Sequence, residues 1–513
     1  MYLSTTVIFL ATAVVLIWAW MKSKYTYWKR LGLITPPCTS WLGNVEKVVL
    51  RQESFADNHL AVYNLFKSQG VNHGGYYIMW TPIYVPININ IIKSIMQNDF
   101  EHFTDRGLYL NEKSDPLNSH LINLTGKKWK LLRSKLSPTF TSGKMKMMHQ
   151  TIVDCTTGLY QVMDKVLEEP VDIKDILARF TTDIIGSCAF GISCNSLENP
   201  NCEFREKGKD IFQMGAAEFI KQTLCFIAPD VMKFFNTRLL SKELNDFFTK
   251  IVTETVEFRE KNNVVRRDFM HLLIQLKNKG KLVDEEKLSV ENITETENKI
   301  TLEELAAQAF IFFEAGFETS STTMTFCLYE LAKSKNIQER VRKEIKKVLS
   351  RHDGKMTYDA IMDMQYLEQV INETLRLHPS LPDLNRICTK TYKVPGEDLV
   401  LEKGMRVMIP VIGIHRDPEY YPDPDKFDPD RFSEENKKNR NPFTFIPFGE
   451  GPRICIGARF GMMQTKVGLT ALLVNYEFDI SEKTPNPLLY NPDSFILSTK
   501  GEMFLNVKRI PAV

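Results

Sequence analysis

The chain has 513 residues, 43% of them hydrophobic and 25% charged, the usage of a folded, water-exposed protein, which excludes a disordered linker or a multi-span transporter. Its 65 Lys and Arg nearly cancel 63 Asp and Glu, leaving a net charge of +2, so no global field exists to hold a nucleic acid backbone. Nine cysteines, odd in number and without paired spacing, argue against a secreted disulfide framework and for a reducing compartment.

From Met1 to Met21 no residue is charged, and Val7 to Trp20 is almost entirely aliphatic or aromatic. About 20 helical residues span the ~30 Å hydrocarbon core of a bilayer, so residues 1–21 predict an N-terminal single-pass transmembrane signal anchor. A cleaved secretory signal would show a basic region before the apolar run and a small-x-small site after it, and neither is present. A buried core helix is the third alternative. Lys22, Lys24, Lys29 and Arg30 follow directly, with Trp18, Trp20, Tyr25, Tyr27 and Trp28 as an interfacial aromatic belt, which predicts a cytoplasmic C-terminal side. In that orientation the N-x-Ser/Thr sequons at Asn123, Asn292 and Asn372 never meet the glycosylation machinery. Residues 22–40 read as a basic linker broken by Pro36-Pro37, and residues 41–513 as one large body without repeats.

Helical periodicity dominates the body, with minor β-like runs at Gly75 to Met79 and Met405 to Val411. Thr301 and Glu304 make a capping-box signature, and the pattern after them predicts a helix to about Lys335, roughly 33 residues and ~50 Å long. Further helices are predicted over Ile337 to Arg351, Tyr358 to His378 and Ala458 to about Tyr476. Eight of the 24 prolines lie between Pro410 and Pro452, where an even spread would place about two, which predicts an ordered meander rather than regular helix or central strand.

The meander ends in PFGEGPRICIG, Pro447 to Gly457, directly before an amphipathic helix. Glycines allow close backbone approach to something flat or bulky, and a cysteine just ahead of a helix N-terminus can be held as a thiolate and ligate a metal. Taken alone, such a cysteine is more often a buried apolar residue. Gly449-x-Gly451 lacks the third glycine and the βαβ setting of a dinucleotide fingerprint, and no P-loop, H-E-x-x-H, C-x-x-C or G-x-S-x-G occurs. His415-Arg416-Asp417 lacks the other parts of a kinase site.

Phe448, Gly451, Arg453, Cys455 and Gly457 fit F-x-x-G-x-R-x-C-x-G, which resembles the haem-thiolate signature of the cytochromes P-450. The resemblance implies a mainly α fold with small β-sheets (α+β) behind the anchor, and haem b, iron protoporphyrin IX, as cofactor. It implies that Cys455 is the axial ligand of the haem iron, favouring O–O cleavage, with Phe448 beside the sulfur and Arg453 on a propionate. Glu373 and Arg376 resemble the family's E-x-x-R, and Pro429-Asp430-Arg431-Phe432 its P-E-R-F with Asp for Glu, implying Glu373, Arg376 and Arg431 as a buried structural cluster. By themselves Glu373 and Arg376 would be a surface pair of ~0.2–0.5 kcal/mol.

Ala315 to Ser320, AGFETS, resembles the family's oxygen-side helix motif. It implies that small Ala315 and Gly316 leave room for dioxygen while Glu318 and Thr319 organise proton delivery. The plainer reading is that Thr319 bonds back to the Ala315 carbonyl and bends the helix. Trp129 and Arg133 fit the family's W-x-x-x-R and share a helix face, and the resemblance implies that both reach one propionate and that Arg386 is a third propionate partner. Substrate contacts implied by family position include His120, Phe313, Ala315, Leu384 and Ile496, although core packing is the commoner role for each.

FTDRGLYLNEK and AGFETSSTTMTF are most similar to insect family-six microsomal members, a group associated with foreign compounds such as plant toxins and insecticides. The implied reaction is insertion of one oxygen atom of O2 into a small lipophilic substrate at the endoplasmic reticulum membrane, with the catalytic domain facing the cytoplasm. No flavin or nicotinamide fingerprint is encoded, so electrons are expected from NADPH through NADPH-cytochrome P-450 reductase, with cytochrome b5 a second candidate partner. Lys127, Lys128, Lys130, Lys135, Lys144 and Lys146 are either its docking face or a solvated helix face. The rival functions are a haem-thiolate isomerase or dehydratase of oxygenated lipids, against which intact Glu318 and Thr319 argue, and a non-catalytic haem carrier or sensor.

Overall fold

The computed structural model of the chain describes residues 2–167, 169–212, 215–282 and 299–511. Sequon residue Asn292, Met1 and Val513 lie outside them. The chain forms two compact units. The first comprises residues 1–107, 381–422 and 442–453, the second 108–380, 423–441 and 454–513.

The first unit is built on a four-stranded sheet. The hairpin His73–Ile78 and Thr81–Pro86 pairs antiparallel, Thr81–Pro86 runs parallel to Arg406–Ile409, and Leu384–Ile387 closes the edge antiparallel to Arg406–Ile409. Gly74 and Gly75 sit where a side chain would collide with Phe66 and Trp28, so two glycines in a strand let two large rings pack on it. Trp28, expected at a membrane interface, is fully buried instead, and its Nε1 donates to the Tyr76 carbonyl at 3.2 Å. The stretch read as a linker is therefore fastened to the sheet. Phe55–Ser68 starts at a Ser54/Asp57 capping box and buries Tyr63, whose hydroxyl donates to Asp417 at 2.6 Å. The buried His415 accepts the Ile446 N–H at 2.9 Å, so the kinase-like triplet is a structural corner.

The helix Tyr2–Tyr25 runs through the expected anchor, but among the described residues no helix is long and apolar enough to cross a membrane.

The second unit is mainly helical, with one small sheet of Val171–Asp172, Phe504–Arg509 and Tyr476–Ile480. The long helix Leu302–Lys333 begins at the expected capping box: Thr301 Oγ1 accepts the Glu304 N–H at 3.0 Å and the Glu304 carboxylate accepts the Thr301 N–H at 2.9 Å. It is apolar nearly all round because neighbours surround it, chiefly Ile173–Ile185 and Ala458–Asn475. One aromatic cluster, Phe190, Phe204, Phe248, Phe313 and Phe317, fills the space beside it.

The helix expected over Tyr358 to His378 is two, Tyr358–Asp363 and Gln365–Leu377, broken at Met364 (φ −79°, ψ 82°). The second has its first free N–H groups satisfied from another helix: Glu344, in Lys335–Ser350, accepts from Tyr366 and Leu367, each at 2.8 Å. The proline-rich meander carries short helical pieces, Val411–His415 and Glu434–Asn439, rather than none.

Candidate active site

Between Leu305 and Ala332 the long helix is buried except at Ile311, Glu314, Ala315, Gly316, Glu318 and Thr319. Thr319 Oγ1 donates to the Ala315 carbonyl at 2.7 Å, the back-bond expected of a mid-helix threonine. Ala315 is exposed, and Gly316 is packed closely against the neighbouring helix. A Cβ there would come within 2.7 Å of Ile185 Cδ1, so the glycine admits the neighbouring helix. Its carbonyl accepts from Gln464 Nε2 at 2.7 Å. Burial raises the Glu318 carboxyl, opposed by the positive charges of Lys174 and Arg205.

Cys455 lies just before the helix Ala458–Asn475, two residues ahead of its N-cap Gly457. All nine cysteines are free thiols, and Cys455 alone is exposed. Burial pushes most of the others away from ionisation: Cys38 and Cys225 up to about 11, Cys155 and Cys327 up to about 12, Cys188, Cys194 and Cys388 also upward. Arg133, on Gly126–Leu136, has its guanidinium pulled down by burial and held up by the charge of Cys455, so the two lie within electrostatic reach. Trp129 is buried one turn before Arg133, as the i, i+4 spacing requires.

Glu373 and Arg376 are fully buried near the end of Gln365–Leu377 and form a bidentate pair, Nε to Oε2 at 2.7 Å and Nη2 to Oε1 at 2.8 Å. Arg431 Nε stands 3.6 Å from the same carboxylate, and the Asp428 N–H donates to it at 2.8 Å. Arg376 Nη2 also holds the Lys426 carbonyl at 3.2 Å. The cluster thus staples the meander to the helix. Asp430, which stands where the family motif has Glu, turns away to Arg340 at 3.0 Å.

In the first unit, Arg453 is buried, with Nε on the Thr104 carbonyl at 2.8 Å and Nη2 3.6 Å from Asp105. Gly451 precedes it at φ +72°, and any side chain there would run into the Met96 carbonyl, so only glycine serves. Arg386 is buried on the edge strand. Its Nη1 donates to the Asn385 carbonyl at 2.8 Å, and among the described residues no partner reaches Nε and no carboxylate pairs with it. Burial, aided by the like charge of Arg106, pulls its guanidinium down to about 9. Arg406 follows the same course, pulled down to about 10 by burial. Thr104 to Arg106 and Arg406 were not singled out from the sequence, although FTDRG carries the first three; Arg406 had no local signal.

The family model described as Cytochrome P450 matches residues 36–506. The chain belongs to the cytochrome P450 family. The chain is 43% identical to cytochrome P450 6a9 and 42% identical to cytochrome P450 6a8, both of Drosophila melanogaster, over 96% of each chain. It is 40% identical to cytochrome P450 6k1 of Blattella germanica, over 96% of this chain and 94% of that one. This cytochrome P450 is a haem-thiolate monooxygenase with iron protoporphyrin IX as its cofactor.

The residues of this cytochrome P450 fit that group. A buried, unpaired Arg386 beside Arg106 is costly unless an anion joins it, and a haem propionate is such an anion. Arg386, Phe448 and Arg453 lie in the first unit, and Trp129, Arg133, Glu318, Thr319 and Cys455 in the second. The expected substrate contacts divide. Ala315 is exposed and Leu384 half-buried, whereas His120, Phe313 and Ile496 are buried. Phe313 stacks on Phe317 at 4.9 Å inside the aromatic cluster, and His120 packs against Phe310, so both are core side chains.

Proposed function

We propose that this enzyme is a membrane-anchored, microsomal monooxygenase that hydroxylates small lipophilic foreign compounds, fed with electrons by NADPH-cytochrome P-450 reductase and with cytochrome b5 as an accessory donor. Residues 1–21 anchor it in the endoplasmic reticulum membrane, the support being their uncharged, apolar run and the basic residues that follow.

Cys455 would ligate the haem iron, Phe448 would pack beside its sulfur, and Trp129, Arg133, Arg386 and Arg453 would hold the propionates. The haem, when bound, supplies a thiolate-ligated iron at which dioxygen is activated. The observation that carries the reading is the placement of Cys455, an exposed thiol just ahead of a helix start and within electrostatic reach of Arg133. Glu318 and Thr319 handle protons on the open face of the long helix. Burial favours the protonated form of Glu318 and the charges of Lys174 and Arg205 oppose it, so the carboxyl can give a proton to one side and regain one from the other. Ala315, the most open residue there, keeps the face shallow.

The test is NADPH-dependent turnover of a lipophilic probe by the full chain with added reductase, under isotope-labelled dioxygen. One labelled oxygen in the product is expected. Product without label would mean an isomerase or dehydratase, and haem binding without turnover a carrier or sensor; either result overturns the reading.

A further inference from the structure

The open face of the long helix carries two carboxylates in unlike surroundings. Ile311, then Glu314 with Ala315, then Glu318 with Thr319 recur at three- to four-residue steps, so they share one side of the helix. Glu318 lies in the field of Lys174 and Arg205. Among the described residues no such cation acts on Glu314. Among the described residues no hydrogen bond or ion pair reaches its carboxylate, and the charge that acts on it is Asp115, of its own sign. Asp115 is buried and fixed, accepting the Leu239 and Leu240 N–H groups at 2.9 and 3.2 Å, so it cannot swing away. Burial, with Asp115 second, pushes the Glu314 carboxyl up to about 7.

A carboxylate placed this way costs free energy in the empty protein, and a cation brought in from outside recovers it. Half of the requirement on that cation is set by its neighbours. Ile311 and Ala315 flank Glu314 on the same face and are apolar, so the remainder of the ligand must be apolar too.

We propose that Glu314 is a specificity residue whose carboxylate supplies the counter-charge for a protonated amine, making lipophilic amines the favoured substrate class. This rests on the reading that the open face of the long helix lines the substrate site. Glu314 then fixes one end of the molecule and thereby selects which carbon is presented for oxidation.

The experiment uses the full-length haem-loaded protein and two probes, phenylbutyl-dimethylamine and the hydrocarbon in which CH replaces its nitrogen. Dissociation constants come from equilibrium dialysis, and the reduced, carbon monoxide-bound spectrum of each sample reports separately on the haem-thiolate reading. In the unmodified enzyme the amine is expected to bind at least as tightly as the hydrocarbon, despite its greater cost of desolvation. A hydrocarbon preference of about ten-fold or more overturns the proposal, whatever happens with variants. In Glu314→Gln the ratio of amine to hydrocarbon affinity is expected to fall about ten-fold, the scale of losing one partner of a desolvated charge pair. A fall of less than about three-fold assigns Glu314 a structural role and also overturns it.

Discussion

Glu373 staples the meander to its helix, because one carboxylate is shared by Arg376, Arg431 and the Asp428 N–H. Removing it leaves a fully buried guanidinium uncompensated, at a cost of about 3–5 kcal/mol. Glu373→Ala is therefore expected to lose haem on purification and to shift chemical unfolding by that amount. Arg431→Ala, at the longer 3.6 Å contact, is expected to lose less than half as much. Equal losses in the two would show that the meander, not the carboxylate, is the critical part. Arg386 gives the opposite sign. It is buried, and among the described residues no counter-ion reaches it, so Arg386→Met is expected to raise the melting temperature of the haem-free protein while weakening haem affinity in a titration by about ten-fold or more. Stabilities and affinities falling together would mean that Arg386 serves packing alone.

Helices show where local pattern suffices and where it does not. The start of Leu302–Lys333 was legible because its cap is local, Thr301 and Glu304 being three residues apart. The break at Met364 was not, because the cap of Gln365–Leu377 is Glu344, more than twenty residues earlier on another helix. Trp28 looked interfacial for the same reason: the glycine that makes room for it, Gly75, is on a strand far along the chain. Gly316 is a case in which motif and packing both claim one residue. Gly316→Ala would press a methyl against Ile185 and is expected to cost about 1–3 kcal/mol, the range for overpacking. Ile185→Val in the same chain should recover most of it in a double-mutant cycle read by thermal unfolding. Simple additivity of the two changes would remove Ile185 as the cause.

At the scale of the whole molecule, the family motifs were readable because each is a short run, and they span both compact units. The arginines that surround Arg453 and Arg386 were less so, since Arg106 and Arg406 come from distant stretches. Glycosylation loses its value as a test of orientation at two of three sequons, because Asn123 and Asn372 are buried in any case. The lysine segment separates into two kinds. Lys128 pairs with Glu112 at 2.6 Å and Lys146 with Asp359 at 3.2 Å, whereas Lys127 and Lys130 are exposed and make no ion pair among the described residues. Charge reversal at Lys127 and Lys130 is therefore expected to raise the reductase concentration needed for half-maximal turnover several-fold, more so at low salt, and to spare peroxide-supported turnover. Equal loss in both assays would exclude docking there.

Cys455 is the one thiol of nine proposed to ligate the haem iron, and the reduced, carbon monoxide-bound absorbance spectrum of the full chain beside Cys455→Ser tests that assignment. The unmodified protein is expected to give the red-shifted Soret band of a thiolate-ligated haem, and Cys455→Ser, with the other eight cysteines intact, to lose it. A band that is absent from the unmodified protein, or that survives in Cys455→Ser, would contradict the account.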